Sequence, residues 1–170
     1  TPNAEKRVAF MYWNYPPGKE KIGASYLNVF ESLQTLMRAM KDTGYNVGDR
    51  KPDAELLLKN ALAYGRNVGV WAPGELDAMV KSGDAVLWPV SEYQKYFDQL
   101  PDTFRQRTLK SWGPADKTDI MVVKDPKTGE GAFVIPAIRY GNVVLLPPPT
   151  RGWEQNQEKM IHNKELAPPH

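Results

Sequence analysis

The 170-residue sequence contains no cysteine and only two histidines, His162 and His170. The first absence removes disulfide frameworks, thiolate metal sites and cysteine nucleophiles together, and says little about compartment. The second excludes a self-contained metal site built from several imidazoles. Long hydrophobic runs are missing as well: stretches such as Val143 to Pro149 fall far short of the ~18 apolar residues that a membrane span requires. Neither sign of charge dominates. Lys and Arg number 22 against 20 Asp and Glu, a formal charge of +2, and no basic stripe stands out, so nucleic acid is not an expected partner. Thr1-Pro2-Asn3-Ala4-Glu5 has none of the features of a signal peptide, and no initiator methionine precedes it, so the true amino terminus is expected to lie outside this sequence.

The remaining composition is ordinary for a globular protein, with 41% hydrophobic and 25% charged residues. A length of 170 residues suits one α/β domain over 1–170. Proline is abundant, at fifteen residues, and clusters at 16–17, 147–149 and 168–169. Paired prolines hold the backbone extended and remove donors, so these places read as rigid connectors.

Arg7 to Trp13 is an almost continuous apolar run suited to a strand buried on both faces. It ends at Asn14-Tyr15-Pro16-Pro17-Gly18, a stop and a turn. From Ala24 to Thr43 the period becomes 3.6, with Tyr26, Phe30, Leu33, Met37 and Met40 in one stripe and Gly44 at its end. This strand–turn–helix opening predicts amphipathic helices packed on an open sheet of buried strands. Shorter helices are expected over Asp53–Leu62, with Asp53 as cap, from Pro73 through Val80, over Ser91–Leu100, and from Pro101 to Trp112. Strands follow at Ile120–Val123, Ala132–Arg139 and Val143–Leu146, with turns at Asp125–Gly129 and Gly141-Asn142.

The sharpest local pattern is Gly18-Lys19-Glu20-Lys21-Ile22-Gly23-Ala24-Ser25. It has the glycine spacing and terminal hydroxyl of a phosphate-binding loop, but Ala24 stands where the phosphate-contacting lysine belongs. Without that charge a structural turn is the better reading, although a helix N-terminus there could still receive an anion. Arg139 and Arg151 flank Val143–Leu146 and its triple-proline exit. A guanidinium can clamp a carboxylate with two parallel hydrogen bonds, or simply be a solvated surface charge. A neutral imidazole such as His170 can bind a divalent metal or accept a proton, whereas His162 lies in a polar stretch that suits exposure. The tryptophans at 13, 71, 88 and 112 suit core packing; Trp153, among polar neighbours, could stack on a flat ring.

Two stretches extend this reading. Asn14-Tyr15-Pro16-Pro17, Ile22-Gly23, Leu27, Glu31-Ser32-Leu33, Leu36, Met40 and Gly44-Tyr45 resemble a segment of the large subunits of cobaltochelatase and magnesium chelatase. Trp112-Gly113-Pro114, Ile135-Pro136, Arg139-Tyr140-Gly141-Asn142-Val143, Pro147-Pro148-Pro149-Thr150-Arg151-Gly152 and Pro168-Pro169-His170 resemble the part that follows, in the same order. The similarity is weakest from Asp49 to Val90.

The resemblance implies an internal fragment of a much larger subunit that holds a tetrapyrrole and inserts a divalent metal. Cobalt is the expected metal, as in cobalamin biosynthesis, with magnesium or iron as alternatives. Separate ATPase subunits would hydrolyse ATP, which agrees with a phosphate-loop look-alike lacking its lysine. It further implies His170 as the catalytic and metal-delivering residue, Arg139 and Arg151 as substrate-binding residues, and a cytoplasmic location. The family's Thr-His-Gly and Glu-Trp region is absent from this sequence, so the fragment alone is expected to be inactive. Pro148 departs from the glutamine usual in cobaltochelatases, which keeps open a relative that releases iron from haem. A non-catalytic docking module for an ATPase partner, presented by Asp49 to Lys110, is the remaining alternative.

Overall fold

The computed structural model describes residues 1–13, 22, 26–68, 73–149 and 170. Among these the elements are a 3-10 turn at Asn3–Glu5, strand β1 (Val8–Met11), and helices α1 (Val29–Asp42), α2 (Ala54–Tyr64) and α3 (Pro73–Ser82). Strand β2 (Val86–Pro89), helices α4 (Val90–Phe97) and α5 (Asp102–Trp112) and a 3-10 turn at Ala115–Lys117 follow. Strands β3 (Val122–Lys124), β4 (Gly131–Ile135), β5 (Ile138–Tyr140) and β6 (Val143–Leu146) complete the order. The fold class is α/β, as expected.

The chain forms two compact units. The first comprises Thr1–Asn67, Ala78–Ala85 and Pro136–Pro148; the second comprises Val68–Asp77, Val86–Ile135 and Pro149–His170.

In the first unit the sheet order is β1-β6-β5, with β1 parallel and β5 antiparallel to β6. Its covered face carries Tyr12, Ile138, Tyr140, Val143 and Leu145, packed with Phe30, Leu33, Met37 and Met40 of α1 and Leu57 and Ala61 of α2. The helix stripe read from the sequence is therefore the core stripe, and burying each large side chain in it contributes ~1.5–3 kcal/mol. Helix α1 begins at Val29, five residues later than its pattern suggested, and Tyr26 is fully exposed. The cause is local: the Asn28 side chain accepts the Glu31 N–H at 3.2 Å, so Asn28 caps the helix and fixes its first turn. Asp53 caps α2 as expected, accepting the Leu56 N–H at 3.0 Å.

Strand β1 forms where the apolar run placed it, yet only alternate residues are covered. Val8 and Phe10 face the core side, whereas Ala9 is exposed and Met11 is 62% exposed. An apolar sequence alone does not say whether a second layer lies over the outer face. Trp13, expected in the core, is 60% exposed.

The second unit holds an antiparallel sheet of order β2-β4-β3, in which Phe133 of β4 is paired with both Trp88 and Val122. The expected strand Ala132–Arg139 is divided here. Pro136 has no N–H to give to a ladder, and on either side of it β4 and β5 join different sheets.

Candidate functional site

His170 is half-buried in the second unit, with both ring nitrogens engaged. Its Nε2 lies 2.8 Å from the Gly113 carbonyl oxygen. A carbonyl only accepts, so Nε2 carries the hydrogen. Its Nδ1 lies 3.0 Å from the Tyr93 hydroxyl. In the neutral ring Nδ1 therefore holds the lone pair and accepts from the phenol. The ring meets Tyr93 and Phe97 edge-on, at centroid distances of 5.6 and 5.0 Å. Tyr93 is itself packed against Trp88, Phe97 and Phe133, and burial pushes the pKa of its hydroxyl up to about 12, with Tyr96 adding to the effect. The phenol therefore stays protonated and able to donate at neutral pH.

Helix α4 supplies Tyr93 and Phe97 one turn apart, and the residue after α5 supplies the Gly113 carbonyl. The fold thus joins two of the sequence motifs, Trp112-Gly113-Pro114 and the histidine of Pro168-Pro169-His170. Sequence reasoning missed Tyr93. Its only signal was an aromatic position on the inner face of a short helix, which is indistinguishable from core packing.

Arg139 lies in the first unit, on the exposed row of β5. Its Nε donates to the Asp84 carbonyl at 2.9 Å and its Nη2 to the Ala85 carbonyl at 3.4 Å. Among the described residues it meets no carboxylate. It lines a cavity of about 490 Å³ together with Arg7, Val8, Ala9, Gly141, Asn142 and Val144. The neighbouring carboxylate of Asp84 is taken by Arg50, at 2.9 and 3.4 Å, and the Arg50 guanidinium lies over the Tyr140 ring.

Arg151, His162, Trp71, Trp153 and the Gly18–Ser25 loop, Ile22 apart, lie outside the described residues. Among the described residues no group of three or more His, Cys, Asp or Glu is placed to hold a metal ion. Nor is any described helix long and apolar enough to cross a membrane.

The segment is mixed α/β, with an oriented imidazole at His170 in one unit and an exposed arginine, Arg139, in the other. The family model for CobN/Magnesium Chelatase matches residues 1–170, so the chain belongs to the CobN/magnesium chelatase family. It is 28% identical to the aerobic cobaltochelatase subunit CobN of Pseudomonas aeruginosa, covering 99% of this chain and 12% of that protein. It is 27% identical to the chloroplastic magnesium-chelatase subunit ChlH of Oryza sativa, covering 98% of this chain and 11% of that one. The solved catalytic subunit of cobaltochelatase from Mycobacterium tuberculosis superposes with a TM-score of 0.70 at 28% identity, over 100% of this chain and 13% of that structure. The chain therefore spans about an eighth of the relatives it matches.

Proposed function

We propose that this chain is a segment of the large, tetrapyrrole-binding subunit of a cobaltochelatase-like enzyme. The whole enzyme inserts a divalent metal, cobalt in this reading, into a tetrapyrrole for cobalamin biosynthesis in the cytoplasm. Partner subunits hydrolyse ATP. In the reaction two N–H protons leave the ring as one metal dication enters. Some group must take up those protons, and cationic side chains must hold the ring's acid arms. His170 is assigned the first role together with metal delivery, and Arg139 and Arg151 the second. The observation that carries this reading is the family match along the whole chain.

The His170 arrangement supports its part of the proposal. A ligand histidine typically anchors its remaining N–H on a backbone carbonyl, which is the bond Nε2 makes to Gly113. Only Nδ1 then carries a lone pair for a metal or a proton, and that lone pair accepts the Tyr93 hydroxyl in this structure. The test is metal insertion by the full-length large subunit with its ATPase partners. Replacing His170→Ala should lower turnover about a hundred-fold or more, the contribution of a positioned general base, while ring binding persists. Wild-type turnover by that variant removes His170 from the mechanism. Pro148 favours one second reading, iron release from haem; iron appearing in a chelator trap when the full-length protein meets haem would favour it.

A further inference from the structure

We infer that Arg7 and Arg139 form one carboxylate-binding site on the open face of the β1-β6-β5 sheet, and that its occupant is an acid arm of the tetrapyrrole. This rests on the proposed function. Ala9, Val144 and Arg139 are in register across the three strands, so they share the face turned away from the helices. Arg7 stands two residues before Ala9, and strand alternation directs it to that same face. Both arginines line the cavity of about 490 Å³ described above, whose size falls within the usual range for ligand pockets.

The chemistry of the lining selects the ligand. Two guanidinium groups meet an apolar floor of Ala9 and Val144, and no described lining residue is acidic. Arg7 is exposed and has no hydrogen bond or ion pair among the described residues. Arg139 uses two N–H groups on backbone carbonyls, which fixes its guanidinium, and keeps the others for a ligand. Such a site favours a molecule with a flat apolar body and carboxylates at its edge. The covered face of the same sheet is filled by helix side chains, which leaves the outer face as the accessible one.

The experiment uses the full-length large subunit, titrated by fluorescence quenching with a free-base porphyrin bearing carboxylate arms and with its carboxamide derivative. Because Arg7 is exposed and has no hydrogen bond or ion pair among the described residues, Arg7→Ala should keep the wild-type melting temperature. It should weaken the carboxylate ring on the order of ten-fold and leave the carboxamide ring unchanged, since a charged hydrogen bond is lost only with the former. Arg7→Lys should recover part of the affinity, as a point charge without the two-pronged geometry. Equal weakening toward both rings, or none toward either, overturns the site while leaving the proposed function standing. A lower melting temperature with unchanged ring binding also overturns it, and assigns the arginines to an acidic segment elsewhere in the large subunit. Failure of the wild-type protein to bind either ring overturns the function and this site together.

Discussion

The Tyr93 hydroxyl stands 3.0 Å from Nδ1 of His170, on the side of the ring opposite the Gly113 carbonyl. The pairing fixes a tautomer as well as an orientation, because the carbonyl can only accept. Nitrogen NMR of the neutral ring should find the His170 hydrogen on Nε2. Protonation at Nδ1 instead would contradict the arrangement and with it the assignment of Nδ1 as the working nitrogen.

Two tyrosines make the folded state sensitive to alkali. Burial raises the pKa of the Tyr12 hydroxyl, which donates to the Gly65 carbonyl, and pushes that of Tyr93 up to about 12 from its ordinary value of 10.0. Unfolded phenols therefore lose their protons first. The folded state binds more protons above pH 10.0, so stability falls as pH rises from there through about 12, while the contribution is complete below pH 10.0. Absorbance at a phenolate wavelength should show these two groups titrating late, alongside a falling urea midpoint. Early titration of both would mean that neither is buried.

Leu33 sits at 9% exposure in the core between α1 and the sheet. Leu33→Asp places an unpaired carboxylate there and should cost several kcal/mol, about 3 or more. The chain passes between its two units at five places, at 67/68, 77/78, 85/86, 135/136 and 148/149. We therefore expect one cooperative transition, with Trp88 fluorescence in the second unit lost together with far-UV dichroism. Two separated transitions would give each unit its own stability.

Gly141 occupies the first position of the two-residue turn between β5 and β6, at φ +59°. A side chain there meets the Gly48 backbone N and the Asn46 carbonyl, and the turn is tied to that segment by the Asn142 N–H bond to Asn46 at 2.8 Å. Gly141→Ala should destabilise by about 1–3 kcal/mol or more from backbone strain and crowding. An unchanged melting temperature would show that the two segments can separate freely.

Local signals were the legible ones. The Phe30–Met40 stripe, the Asp53 cap, Pro73 at the start of α3 and the Gly141-Asn142 turn each depend on a few adjacent residues, and each is where the sequence put it. Strand β2 was missed because Val86-Leu87-Trp88-Pro89 is four residues long, shows no alternation and runs directly into α4. The allocation of β4 and β5 to different sheets depends on pairing with strands far away in sequence. At the candidate sites, Arg139 and His170 could be named from their chemistry and the family motifs. Arg7 and Tyr93 could not, and Gly113 was named only as part of a motif and not as a partner of His170, since each is 57 or more residues from the group it accompanies, as with Gly113 and His170.

The central claim, that this segment handles the ring in a chelatase-like large subunit, is tested most directly by tetrapyrrole titration of the full-length protein. The wild-type protein should quench tetrapyrrole fluorescence saturably. Arg139→Ala and Arg151→Ala should each weaken binding by about ten- to hundred-fold, the range expected for one charged hydrogen bond, and His170→Ala should bind nearly as the wild type. Wild-type affinity in both arginine variants would contradict the account and leave this stretch as a structural connector.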